Sequence, residues 1–280
     1  MKIVTALKDM TDIAARIKGR GERIGFVPTM GYLHEGHASL LRAAREECDQ
    51  VVMSVFVNPM QFGQNEDLGK YPRDQERDRH VAEKERVDVI FVPSVPEMYP
   101  EGYGTYVDVK GTVAENLCGA SRPGHFRGVA TVVLKLVNIV QPDVVYLGQK
   151  DAQQAAVIKK MFSDLNVPAR IRVMPIVREP DGLAMSSRNA YLSTEERDEA
   201  VLIHGALVAA REMVCSGECD SRKISEEMRR IMSSGGNIRV DYIGFVDRDT
   251  LEDTEKVEEG TLIAVAAFLG GTRLIDNVII

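Results

Sequence analysis

The 280-residue sequence predicts an α/β fold: a Rossmann-like parallel sheet with helices on both faces, plus a smaller α+β C-terminal domain. Three observations predict it. Short apolar runs alternate with helical ones through the first part of the chain, the pattern of parallel strands buried on both faces. Composition shifts at the loop Arg-Glu-Pro-Asp-Gly-Leu-Ala, residues 178–184, which marks the expected junction between a domain over 1–178 and one over 179–280. Beyond that loop, two helical stretches precede three strand-like runs.

Element by element, Ile24, Phe26 and Val27 make a short buried strand over 24–28 that Pro28 ends. Gly31 and Gly36 allow the backbone to approach a ligand closely. The run 36–48 then carries Ala38, Leu40, Leu41 and Ala44 at helical spacing. A strand over 51–57, a charged helix around 73–86 and a strand over 87–92 follow. After an irregular middle come a helix over 129–140, a strand over 144–147, a helix over 152–165 and a strand over 171–177. Ser193 and Glu196 form a capping box that opens a long helix ending near Gly217. A helix over 222–233 and strands over 239–246, 262–268 and 273–279 complete the second domain.

Composition limits the function. A net charge of −7 argues against a general phosphate-backbone binder, so no nucleic-acid partner is expected. No stretch approaches the roughly 20 apolar residues of a membrane span. Residues 1–20 are charged throughout and show no secretory or transit pattern, so a cytoplasmic enzyme is expected. Cys48, Cys118, Cys215 and Cys219 are scattered and read as reduced structural thiols; the Cys215/Cys219 pair lacks the second half of a zinc site.

The chemistry concentrates at predicted strand ends. His34 and His37 lie one turn apart at a helix start, where unpaired N–H groups and the positive dipole end favour an anion. As neutral N–H donors they suit a phosphate whose charge grows in a transition state. They also fit a solvated surface pair, whereas a metal pair lacks a third ligand in the sequence. Asn58 and Gln61 follow the strand over 51–57; an amide pairs with both carboxylate and hydroxyl groups, and Asn58 reads equally as a satisfied turn residue. Gly148, Lys150 and Asp151 follow the strand over 144–147, with Gln153 and Gln154 on the next helix. Lys150 suits phosphate, Asp151 suits ribose hydroxyls or a helix cap, and Gln154 suits an acid. Two readings stand for the loop 121–128, with Arg122, His125 and Arg127: an anion contact or a surface loop. Met185, Ser186, Ser187 and Arg188 form either a phosphate-gripping loop or an interdomain linker.

The segments P-T-M-G-Y-L-H-E-G-H, F-V-N-P-M-Q-F, G-Q-K-D-x-Q-Q and M-S-S-R-N, in this order and spacing, resemble the pantothenate synthetase family over nearly the whole chain. That family belongs to the H-I-G-H-type nucleotidyltransferase superfamily. The resemblance implies ligation of pantoate to β-alanine with ATP and magnesium, through pantoyl adenylate, in a homodimer with a Rossmann-like first domain. It implies that His34, His37, Lys150 and Arg188 are catalytic, with His37 the candidate for the acid role. ATP would meet Met30, Gly31, His34, His37, Gly148, Lys150, Asp151, Val177, Met185, Ser186, Ser187 and Arg188. Gln61, Gln154 and Asn58 would hold pantoate or β-alanine, and the C-terminal domain would close over the site. The stretch 63–78, with Tyr71, resembles the family's flexible wall over the site. The magnesium ligands stay open. Ala184 stands where the superfamily's K-M-S-K-S loop carries its first lysine; Arg188 supplies one cation and Lys150 is the candidate for the other. Competing readings are a transferase acting on a phosphate-bearing acceptor, a truncated tRNA-charging enzyme and a non-catalytic ATP sensor.

Overall fold

The computed structural model describes residues 1–64 and 66–280. In chain order the elements begin with β1 (Lys2–Val4), α1 (Leu7–Gly19), β2 (Ile24–Thr29), α2 (Glu35–Glu47), β3 (Gln50–Val55), α3 (Gln75–Lys84) and β4 (Val89–Phe91). Three short helices follow, α4 (Val95–Met98), α5 (Thr112–Glu115) and α6 (Cys118–Ser121), then α7 (His125–Val140), β5 (Val144–Gly148), α8 (Ala152–Asp164) and β6 (Arg170–Met174). The chain ends with α9 (Thr194–Cys215), α10 (Ser221–Met232), β7 (Ile238–Asp247), β8 (Thr261–Leu269) and β9 (Thr272–Ile279).

Two compact units result. The first comprises Met1–Val109, Arg122–Gly148 and Val157–Pro175; the second comprises Lys110–Ser121, Gln149–Ala156 and Ile176–Ile280. The first holds a six-stranded sheet in the order β1-β4-β3-β2-β5-β6, with parallel pairing throughout. Its strands are apolar on both faces, Ile24, Phe26, Val27, Val51, Val52 and Val144 being fully buried, as a sheet covered by helices on each side requires. On one face α2 buries Ala38, Leu40, Leu41 and Ala44, the last three sharing a core with Val27, Val51 and Met53. Strand order reverses beside β2, which pairs with β3 on one side and with β5 on the other. Ligands of open parallel sheets bind outside the carboxyl ends of the strands at such a switch point.

The second unit holds the antiparallel sheet β7-β8-β9. Ala200, Ile203, Leu207, Ile224 and Met228 of α9 and α10 share a core with Phe245, Ile263 and Val265 of that sheet. Ser193 and Glu196 make the expected capping box at the start of α9.

The sheet class, the strands and the long helices are those expected, with two differences. Neither β1 nor α1 was expected; the charged outer face of α1 hides the buried Met10, Ala14 and Ile17. Helix α7 begins at His125, four residues early, so His125 and Arg127 lie on its first turn and not in a loop.

Candidate active site

The turn after β2 is built to hold its backbone rigid. Thr29 donates its hydroxyl to the Ser54 carbonyl (2.7 Å) and accepts the Gly31 N–H (3.1 Å). Gly31 has φ +84°, and an added Cβ would lie 2.8 Å from Asp78 Oδ2 and 2.9 Å from Val55 Cγ1, so only glycine fits. Asp78 of α3, 4 % exposed, accepts the N–H groups of Tyr32 (3.0 Å) and Leu33 (2.7 Å). Burial pushes its pKa up, while those two N–H bonds pull it back. The neighbouring Arg77 donates Nε to the Leu33 carbonyl at 2.9 Å and lies over the Tyr32 ring. Of the expected wall over 63–78, Asn65 lies outside the described residues; Tyr71 is buried and Asp78 is this brace.

His34 is the N-cap of α2, and the two histidines are tied to the same turn. The Gly36 N–H donates to His34 Nδ1 (3.1 Å), and the His34 N–H donates to His37 Nδ1 (3.3 Å). The ring centroids are 4.1 Å apart. Because each Nδ1 accepts a backbone N–H, the hydrogen-bond network assigns the neutral proton of both rings to Nε2. Each imidazole is thus fixed as an Nε2–H donor at a helix N-terminus, where an anion is favoured.

After β3, Asn58 caps the 3₁₀ turn Pro59–Gln61. At 1 % exposed, its carboxamide is fully partnered. Oδ1 accepts from Met60 N–H (3.2 Å) and from the Tyr99 hydroxyl (2.8 Å); Nδ2 donates to Gly128 O and to Gln61 Oε1 (both 3.1 Å). Burial raises the Tyr99 pKa, which keeps its phenol protonated and donating. Asn58 therefore acts through Gln61: by giving N–H to Oε1 it fixes which end of the Gln61 amide is the acceptor and leaves Nε2 as the donor end, one N–H of which goes to Met30 Sδ at 3.2 Å. The Gln61 carbonyl bonds His125 Nδ1 at 2.8 Å, and Arg122 pairs with Glu66 at 2.6 Å. Arg122 and His125 thus support the backbone of the Gln61 segment.

In the second unit, residues Gln149–Asp151 form a 3₁₀ turn. Lys150 is partly buried, 3.8 Å from Asp151. Gln153 is buried, accepting the Cys118 N–H and donating to the carbonyls of Val113 and Asn116, whereas Gln154 stays outside that network. Residues 177–185 form a tight hairpin: Met185 N–H donates to Val177 O (3.0 Å) and Arg178 bridges Ala184. Ser186 then caps the 3₁₀ turn Ser187–Tyr191, its hydroxyl accepting the Arg188 N–H at 3.2 Å. Met185–Arg188 is thus part of a folded loop. Gly148, the last residue of β5, pairs in register with Met174 in the first unit.

Sequence reasoning missed Asp78, Tyr99 and Gly128. Gly128 had a signal, a glycine inside a strongly apolar helical run, which costs helix stability unless something packs on it. An added Cβ there would overlap the Met60 carbonyl oxygen.

The family model described as pantoate-beta-alanine ligase matches residues 2–279. The chain belongs to the pantoate–β-alanine ligase family. A pantothenate synthetase of Caldicellulosiruptor bescii is 56 % identical over the whole chain and 99 % of its own length. Among solved structures, pantothenate synthetase of Thermus thermophilus superposes with a TM-score of 0.95 at 44 % identity, covering 99 % of each chain. A pantoate-beta-alanine ligase of Francisella tularensis, complexed with a β,γ form of ATP and with β-alanine, matches at TM-score 0.83 and 36 % identity, covering 100 % of this chain and 97 % of that one. The activity of the family, ATP-dependent ligation of pantoate to β-alanine, is the activity of this chain.

Proposed function

We propose that the ligation runs through pantoyl adenylate on the residues singled out above. A carboxylate oxygen of pantoate attacks the α-phosphorus of ATP, the bond to the bridging oxygen breaks, and pyrophosphate leaves. The amine of β-alanine then attacks the carbonyl carbon of the mixed anhydride, AMP leaves with the bonding pair, and the nitrogen loses a proton. Adenylation replaces an oxide leaving group with AMP, which is why ATP is required.

The observation that carries this reading is the pinning of His34 and His37 by backbone N–H groups. It presents two neutral donors whose orientation costs no reorganisation as phosphate charge develops. His37 is assigned the acid role toward the departing pyrophosphate, with Met30 and Gly31 lining the nucleotide. Lys150, Ser186, Ser187 and Arg188 are assigned to phosphate, Asp151 with Gly148 to the ribose, and Val177 and Met185 contribute backbone. Gln61, oriented by Asn58, donates Nε2–H to pantoate, and Gln154 shares that role.

Magnesium enters as part of the nucleotide substrate, offsetting phosphate charge. Among the described residues no group of three or more His, Cys, Asp or Glu is placed to hold a metal. A homodimer working in the cytoplasm completes the proposal.

The test is pyrophosphate–ATP exchange dependent on pantoate and independent of amine. His37→Ala and Lys150→Ala are expected to lower it by about 10²–10³-fold, the range for loss of one transition-state donor. Near-normal exchange in both variants would remove those roles.

A further inference from the structure

Asp276 and Asn277 are adjacent on β9, each 3 % exposed, beside strand β8 whose facing residues are Val265 and Ala264. Buried polar groups in such a sheet cost stability unless fully partnered. Both are partnered, and by different loops. Asn277 donates Nδ2 to the carbonyls of Gln149 (2.9 Å) and Lys150 (3.1 Å), and Gln149 returns a bond to Asn277 Oδ1 at 3.3 Å. Asp276 receives both terminal nitrogens of Arg178, at 2.5 and 3.0 Å, and the Asn277 N–H at 2.7 Å. Arg178 in turn donates to the Gly182 carbonyl at 3.0 Å, closing the hairpin that leads into Met185–Arg188.

A three-residue 3₁₀ turn has no ladder of its own, so the Lys150 backbone is placed by the flanking β5 and α8 together with the bonds from Asn277. The hairpin is bridged between Arg178 and Ala184, and Arg178 is the residue gripped from β9. One dipeptide thus ties down both loops that carry Lys150 and Arg188, beside the pairs that Arg197 makes with Glu179 and Asp181 of the hairpin, without itself being exposed to a ligand.

We propose that Asn277 and Asp276 are positioning residues for adenylation: Asn277 sets Lys150, and Asp276 sets the Arg188 loop through Arg178. The inference rests on the reading of Lys150 and Arg188 as phosphate contacts. The Lys150 arm predicts coupling. Asn277→Ala, or the milder Asn277→Ser, lowers pantoate-dependent pyrophosphate exchange about tenfold, ~1.4 kcal/mol of barrier. Placed on Lys150→Ala, the same change costs less than about twofold, because the group it positions is gone. The Arg188 arm is read the same way with Arg178→Lys, which keeps the charge and loses the fork, against Arg188→Ala. Thermal unfolding of each variant separates lost stability from lost positioning.

A purely structural role would lower exchange by the same factor in both backgrounds, and that result, or full activity of the single variants, overturns the proposal. Normal exchange in Lys150→Ala and Arg188→Ala would instead overturn the phosphate reading, and this inference with it.

Discussion

In the first unit, the histidines are oriented by hydrogen bonds that span two and three residues. In the second, the Lys150 turn and the hairpin before Arg188 hang on β9 through bonds that span 127 and 98 residues. The orientation of the rings is set by the local chain, a strand end, a glycine with positive φ and a helix N-cap, while Asp78 of α3 braces the turn beneath them. The second arrangement exists only when the antiparallel sheet is complete. A turn whose chemistry is written locally can be recognised from its own residues, whereas a loop held from far away shows only its reactive groups and not what aims them.

Between these extremes lies the Gln61 segment, whose amide is oriented by Asn58 three residues away but whose backbone rests on α7. Gly128→Ala tests how far that support matters and should have the largest effect on stability. The added methyl overlaps the Met60 carbonyl oxygen and lies 2.7 Å from the Gln61 Cα, both backbone atoms that cannot rotate away. Overpacking of this kind costs about 1–3 kcal/mol. A clear fall in Tm by calorimetry, with a weaker pantoate dependence in the folded fraction, is expected. An unchanged Tm would mean that the segment does not depend on close approach to α7.

Legibility followed the same division. The parallel sheet was readable because strands buried on both faces are continuous apolar runs, and α2 because its buried residues repeat at helical spacing. His34, His37 and Gln61 could be singled out because each follows such a strand closely. Helix α1 was not readable, since charged residues outnumber its buried positions. Asp78 was hidden in a charged helix, where one buried carboxylate looks like its solvated neighbours. Tyr99, Asp276 and Asn277 lie far along the chain from the loops they brace, and no spacing rule connects a residue to a partner that distant.

A smaller effect separates orientation from occupancy in the first unit. Tyr99→Phe removes the 2.8 Å bond to Asn58 Oδ1 and leaves the Asn58–Gln61 bond in place. Loss of one buried hydrogen bond is worth about 1 kcal/mol. If Tyr99 holds the relay in register, the KM for pantoate rises about fivefold, the equivalent of that energy, while kcat and the KM for ATP stay near their original values. A proportional change in every parameter would assign Tyr99 to general packing instead.

The smallest effect is reserved for the second unit, where pH should act on the long-range brace. The His204 Nδ1 is buried without a hydrogen-bond partner among the described residues, and the ring packs so closely on Gly182 that no Cβ fits there. Burial lowers the His204 pKa from its ordinary 6.5; Arg178 and Arg211 lower it further, against the pull of Asp276 and Asp181. The native state therefore holds fewer protons than the unfolded chain between the lowered value and 6.5. The stability this contributes is complete above 6.5 and is lost as pH falls through that window. Protonation would also set a cation against Arg178, the residue that β9 uses to hold the hairpin. His204→Gln keeps a polar side chain and removes the titration, so its Tm should fall less than that of the parent when pH is taken from above 6.5 to below it. Equal losses in the two proteins would show that acid acts elsewhere, and that the hairpin's grip on β9 is indifferent to the charge of its neighbour.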